Sequence, residues 1–243
     1  MAEVDVSVCV PVYRTHGAPN LSTLAETMER ALGGLRGELV VALNGVSAAD
    51  ALVPSWARSV DLGVNRGVSP GWNAAAAAAR APVLIFCNDD VLLGERALRL
   101  MHDALVEHAD AGVVGPDGTR WDLSVPRHLE WLDLSARRAG EIESCDVVSG
   151  FLFGMRSAVL EQLGGFDEAY APCSMEEVDL CTDVRKRLGL RCYAVAGVET
   201  EHEYGISVSR PWTRIHHNGR SEFLRSIHVR NVRHFREKWQ GVV

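Results

Sequence analysis

The chain predicts an α/β fold: a mostly parallel central sheet flanked by helices. Two observations lead there. Short β-rich runs alternate with helical periodicities along the first half of the 243 residues, and each run ends in a polar turn. Alternation of this kind needs crossover connections, which set consecutive strands parallel and cover both faces of the sheet. In such sheets ligands gather beyond the carboxyl ends of the strands. A third observation makes that edge interesting. In "PVLIFCNDDVLL" an apolar run breaks off at Asn88, Asp89 and Asp90, where two adjacent carboxylates repel each other unless something holds them.

The elements follow in order. Val4 to Tyr13, "VDVSVCVPVY", is β-rich and closed by Pro11, which cannot continue a central ladder. Leu21, Leu24, Ala25, Met28, Ala31 and Leu32 recur at helical spacing, and Gly33-Gly34 closes the pattern. "ELVVAL" is a second strand followed by the turn "NGVS", and "SVDLGV" reads as a third. "NRGVSPGWNAAAAAARA" gives a turn and then a helix, its six consecutive alanines the strongest local helix signal in the chain. "PVLIFC" is the fourth strand and "ERALRLMHDALVEHA" the next helix. The turns "PVYR", "LNGVS" and "CNDDV" should therefore share one edge. Beyond them, Asp117 to Glu143 is polar and weakly periodic. "CDVVSGFLFGM" reads as one strand, "SMEEVDLCTDVRKRLG" as a helix, "LRCYAVAGV" as a strand and "RSEFLRSIHVRNVRHFREKW" as a basic amphipathic helix. No linker, repeat or low-complexity tract divides the chain, so a single domain is expected over 1–243.

Composition narrows the classes. A hydrophobic fraction of 47% and a charged fraction of 23% are those of an ordinary globular protein, and a formal charge of -7 argues against nucleic acid as a partner. Six cysteines form no C-x-x-C pair and no zinc-like cluster with histidine, so they read as reduced. Acidic Glu3 and Asp5 stand where a secretory signal carries basic residues, and no apolar run spans a bilayer, which together predict a cytoplasmic protein.

Two acidic clusters could carry chemistry. Asn88-Asp89-Asp90 supplies hard oxygen ligands of the kind Mg²⁺ or Mn²⁺ takes alongside substrate phosphates; equally, Asn and Asp are turn formers. In "SMEEVDLC", helical spacing puts Glu176 and Asp179 on one face and turns Glu177 elsewhere, which suits a general base. The alternative is structural: acids at a helix start complement its dipole, and Ser174 with Glu177 fits a capping box. "EHEYGIS" adds His202 between two acids, a ligand or a solvated side chain.

Taken in order, "VSVCVPVYR", "NRGVSPGWNAAAAAARAPVLIFCNDDV", "VVSGFLFGMRSAVLEQLGGFDEAY", "EEVDLCTDVRKRLG" and "EHEYGIS" resemble the family-2 glycosyltransferases of the GT-A fold, in particular a bacterial branch of rhamnosyl- and galactofuranosyl-transferases. The resemblance runs from about residue 6 to 207. It implies inverting transfer of a hexosyl or deoxyhexosyl group from a nucleoside-diphosphate sugar, with residues 1–115 holding the donor and 116–243 the acceptor and catalytic machinery. Asn88-Asp89-Asp90 corresponds to the family's DXD motif, which implies Asp90 for metal and diphosphate and Asp89 near the ribose, with Mn²⁺ or Mg²⁺ as cofactor. The first position is Asn88 rather than Asp. "EEVDL" corresponds to the family's "EDVDL", which implies Glu177 as catalytic base with Glu176 as rival, and His202 matches a position that contacts metal or diphosphate. For the donor the resemblance implies Pro11, Val12 and Tyr13 beside the base, Asn65, Arg66 and Gly67 beside nucleoside or phosphates, and Asn73 and Gly150 nearby. The family's base-contacting Asp is replaced by Leu43, with Asn44 as a substitute contact.

Trp72, Trp121 and Trp131 are candidate platforms for a sugar or aglycone, or core residues. Ile206 to Asn218, with Arg210, Trp212 and Arg214, suits a loop closing over the diphosphate. The acceptor could be a small molecule, a saccharide or a lipid-linked glycan. The helix from Arg220 to Lys238 could meet a membrane surface or a second copy of the chain, or be a solvated face. Two other readings compete: a sugar nucleotidyltransferase, which needs a glycine-rich phosphate loop that "PVYRTHGAP" does not supply, and a non-catalytic nucleotide-sugar-binding domain, which needs no general base.

Overall fold

The computed structural model describes residues 3–13, 19–202 and 212–243. The first half follows the expected alternation: β1 (Val6–Val12), α1 (Leu21–Leu32), β2 (Gly37–Leu43), β3 (Arg58–Asp61), α2 (Val68–Ala78), β4 (Val83–Cys87), the short β5 (Leu92–Leu93), α3 (Ala97–Glu107) and β6 (Ala111–Gly115). Asn20 caps α1 by accepting from the backbone of Ser22 and Thr23, and Gly33 ends it with left-handed backbone. β1 lies parallel between β2 and β4, and β3 adds parallel to β2, so these strands all end on one edge.

The second half contains β7 (Gly118–Asp122), β8 (Arg127–Trp131), β9 (Ile142–Cys145), β10 (Val147–Val148), β11 (Leu152–Arg156), α4 (Ser157–Leu163), α5 (Glu176–Arg187), β12 (Arg191–Val195), β13 (Thr200–Glu201), β14 (Arg214–His217), β15 (Arg220–Phe223) and α6 (Leu224–Lys238). The main sheet runs β3-β2-β1-β4-β11-β6-β12-β9. It is mixed, because β11 is antiparallel to both β4 and β6 and β9 is antiparallel to β12. That reversal matters for the site. Leu152 at the start of β11 pairs with Cys87 at the end of β4, so the turn entering β11 stands on the edge where the parallel strands finish.

Three sequence expectations change. The one strand expected across "CDVVSGFLFGM" is parts of three, broken by a turn at Ser149 to Phe151; apolar residues flank that turn on both sides and hide it. The polar stretch after Asp117 contains the β7–β8 hairpin, whose outer strand is exposed at every residue and so carries no apolar alternation. The last helix begins only at Leu224. Before it, β14 and β15 form a hairpin across Asn218-Gly219, both with positive φ (45° and 71°), the turn that Asn-Gly favours.

Apolar layers cover both faces of the sheet. One gathers Leu21, Leu24, Met28, Leu98 and Met101 from α1 and α3; the other gathers Trp72, Phe86, Phe153, Phe166 and Phe235. Trp72 lies with its ring centroid 5.0 Å from Phe153 and 5.0 Å from Phe166, fully buried, so it is core and not a sugar platform. Trp121 is partly buried, its Nε1 donating to Thr119 Oγ1, and Trp131 is exposed. Five of the six cysteines are buried and all are free, as the spacing predicts. Among the described residues no helix is long and apolar enough to cross a membrane.

Candidate active site

Strand ends place most of the predicted donor residues. Pro11 and Val12 close β1 with Tyr13 just beyond, Asn44 follows β2, Asn65 to Gly67 lead into α2, and Asn88 to Asp90 follow β4. Asn44 is buried and braces the next turn: its Nδ2 donates to the Gly67 carbonyl (2.9 Å) and its Oδ1 accepts from the Arg66 N–H (2.7 Å). Asn65 does similar work, accepting from the Gly67 N–H (3.0 Å) and donating to the His216 carbonyl (2.6 Å). These two amides hold the loop, and the Arg66 side chain is left exposed at its tip. Gly67 has φ 108°, and a Cβ there would come within 2.7 Å of Pro172 Cα. Asn73 stands apart. Both its amide hydrogens are engaged, by the Phe166 carbonyl (3.0 Å) and Glu168 (2.9 Å), and its Oδ1 accepts from the Phe166 N–H (2.8 Å), so it ties α2 to the loop after α4.

His202 is brought to the acidic cluster by a small sheet. β13 pairs antiparallel with β5, Glu201 opposite Leu92, which carries the next residue back over the end of β4. His202 Nε2 then lies 3.4 Å from Asn88 Nδ2, from which the neutral ring can accept, and 3.3 Å from Asp90 Oδ1, with which it pairs only by charge when protonated. Its ring is stacked on Phe151 at 4.7 Å and 8°. Asp90 Oδ1 is shielded from solvent and takes part in no hydrogen bond among the described residues. Of the later motif, Glu203 to Ser207 lie outside the described residues, as do Ile206 to Arg210 of the predicted closing loop.

The second acidic cluster starts α5, but not through the expected capping box. The cap is Met175, with no side-chain bond to the helix, and Ser174 Oγ instead meets His228 Nδ1 at 2.8 Å. Ser174 and Met175 both have left-handed backbone, φ 83° and 76°. This turn directs Glu177 over Gly150, where an added Cβ would touch Glu177 Cβ and Cγ at 3.4 Å and Cδ at 3.5 Å. Glu176 goes inward, its Oε2 out of solvent and without a hydrogen-bond partner among the described residues. Burial pushes both carboxyls above the ordinary range, and for Glu176 the neighbouring Glu177 charge pushes further. Asp179 faces away, accepting from Tyr170, Lys238 and Trp239.

The two clusters meet at one turn. Asn88 donates its N–H to the Phe151 carbonyl (2.9 Å), and the preceding residue, Gly150, lies under Glu177. A model of glycosyl transferase family 2 matches residues 7–164, from β1 through α4.

The chain belongs to this family.

Solved structures agree in fold. GalNAc-T7 with UDP, GalNAc and Mn²⁺ superposes with a TM-score of 0.71 at 14% identity, over 98% of this chain and 48% of that one. S. aureus TarS 1-349 in complex with UDP gives 0.60 at 16%, over 81% and 59%. The mannosyltransferase PcManGT from Pyrobaculum calidifontis in complex with GDP-Man and Mn²⁺ gives 0.55 at 19%, over 79% and 54%. This chain thus spans about half the length of these structures, and at such identities the likeness is one of fold, that of GT-A glycosyltransferases. No curated protein matches its sequence.

In this family-2 chain, two contributors to the site escaped the sequence reading. Phe151, the stacking partner of His202, sits in a run that read as strand. Asn231 on α6, which bonds to the loop before α5, looked like one polar residue in a basic helix.

Proposed function

We propose that this glycosyltransferase is inverting and moves a hexosyl or deoxyhexosyl group from a nucleoside-diphosphate sugar to an acceptor hydroxyl in a single displacement. The observation that carries the reading is the shared turn at Ser149 to Phe151: its Phe151 carbonyl is tied to Asn88 and its Gly150 lies under Glu177, so a diphosphate site and a carboxylate flank one small space. Glu177 is the general base. Its raised proton affinity suits it to take the hydroxyl proton as the oxygen attacks, and one displacement inverts the anomeric centre.

Asp90 and His202 fit a divalent cation, Mn²⁺ or Mg²⁺. A shielded carboxylate oxygen without a hydrogen bond faces an imidazole nitrogen, a donor set that suits such ions. Among the described residues no group of three or more His, Cys, Asp or Glu surrounds the position, so donor phosphate oxygens and water would complete the shell. Bound there, the ion offsets charge on the departing diphosphate. Asn88 leaves that centre one carboxylate short of the acidic form of the motif. Mn²⁺ accompanies UDP and GalNAc in the GalNAc-T7 structure and GDP-Man in the PcManGT structure, which supports this assignment. Residues 1–115 serve the donor and 116–243 the acceptor, within a branch that includes rhamnosyl- and galactofuranosyl-transferases.

The test is a panel of UDP-, dTDP- and GDP-sugars incubated with the chain, Mn²⁺ and candidate acceptor alcohols. Release of nucleoside diphosphate together with a product of inverted anomeric configuration is expected. Pyrophosphate release, or binding without turnover across the panel, would overturn the reading.

A further inference from the structure

Helix α6 grips the segment that presents the acid pair. Asn231 on its buried face is 0% exposed, and its Nδ2 reaches three carbonyl oxygens: Tyr170 (2.6 Å), Cys173 (2.9 Å) and Ser174 (2.9 Å). An amide nitrogen has two protons, so three acceptors at these distances hold it on both sides, one proton being shared. The same helix adds Arg230 Nη2 to the Ala171 carbonyl (2.6 Å) and His228 to Ser174 Oγ. All of these bonds converge on the chain entering Ser174 and Met175. Left-handed backbone at non-glycine residues is strained and persists only where the surroundings impose it. A second hold lies one turn into α5. Asp179 accepts from Lys238 Nζ (2.7 Å) and from Trp239 Nε1 (2.8 Å) at the end of α6. Glu176 and Glu177 stand between the two holds.

We infer that Asn231 is a positioning residue for the Glu176–Glu177 pair: its amide fixes the left-handed entry that aims Glu177 across Gly150. The inference rests on Glu177 being the base. Asn231 itself acts through the Tyr170, Cys173 and Ser174 carbonyls. Charged and titratable groups around the pair include Cys173 on the loop and His228 and Arg230 from α6.

The experiment compares three variants of the full chain. Asn231→Ala is expected to lower kcat by roughly 100-fold, the effect of a misplacement near 1 Å, with KM for the sugar nucleotide nearly unchanged. Asn231→Ser keeps one donor and is expected to fall between Ala and wild type; it also serves if the Ala variant does not fold. Ile227→Val trims a fully buried residue of the same helix, is expected to lower the melting temperature, and is expected to leave kcat alone. A readout independent of turnover is NMR titration of ¹³C-labelled glutamates, where the raised pair moves back toward the ordinary range in folded Asn231→Ala. Wild-type kcat with an unchanged titration in a folded Asn231 variant overturns the inference, as does an equal loss of kcat in Ile227→Val. Absence of turnover in the wild type would overturn the proposed function instead, and the glutamate titration would still decide on Asn231.

Discussion

The site has two acidic clusters that are built in opposite ways. Asn88 to Asp90 sit where β4 runs out, at the edge every parallel strand of the first half reaches, and need only regular sheet structure to be placed. Glu176 and Glu177 begin a helix without a side-chain cap, after two left-handed residues, and are held by side chains from the far end of the chain. A strand end is a cheap place for a ligand because ladder bonds fix it. The start of α5 needs an unusual backbone, and residues of α6 and its end, from Asn231 to Trp239, help to hold it.

The sharpest way to break the contrast is Glu177→Gln. It should lower transfer by roughly 1,000-fold while leaving sugar-nucleotide affinity intact in a calorimetric titration, since a missing base removes proton transfer and not binding. Retained activity would move the base to Glu176. In the wild type the acid limb of kcat should lie above the ordinary glutamate value of 4.5, because burial raises the Glu177 carboxyl and the base must be ionised to act. Activity therefore falls as pH drops through that raised value.

On the strand-end side, Asp90→Ala should weaken Mn²⁺-dependent donor binding by roughly 10- to 100-fold, read as the metal dependence of sugar-nucleotide affinity. An unchanged metal requirement would remove Asp90 from the centre. A milder effect is expected for Asn73→Ala, which strands the Phe166 carbonyl and N–H: a loss of about 1–3 kcal/mol in denaturant unfolding, with donor affinity unchanged. Weakened donor binding at constant stability would instead support the role the sequence resemblance implied for it.

The smallest effect has the opposite sign. Glu176 binds its proton more tightly folded than unfolded, so the stability this confers is complete below the unfolded value and is lost as pH rises through the raised folded one. Above that raised value its buried charge is a burden. Glu176→Gln, permanently neutral, should gain on the order of 1 kcal/mol at pH 8 and much less at pH 4, measured by melting temperature across pH.

Legibility followed the same division. Strands and helices through α3 could be read from periodicity, and with them the edge carrying Pro11, Asn44, Asn65 and Asn88, because in a parallel sheet local pattern and ligand position are the same information. The duties of the asparagines could not be read. Asn44, Asn65, Asn73 and Asn231 each use an amide as a surrogate peptide group to satisfy backbone elsewhere, and nothing beside them in sequence names the partner. Ser174 and Glu177 matched a capping box by spacing, yet Met175 took the cap, since His228 offers Ser174 another partner. The β7–β8 hairpin was missed because its outer strand buries nothing.

The reversal of the sheet at β11 also sets when the site can exist. Leu152 finds Cys87 only after the chain has passed through α3 and β6 to β10, so this pairing closes a long loop, the slow kind of contact to form. Until it closes, the folding chain can own its parallel strands, its donor turns and its basic helix, and still hold Asn88 and Glu177 in separate places. The meeting of Asn88 and Glu177 thus depends on one long-range strand pairing rather than on the local elements that carry them.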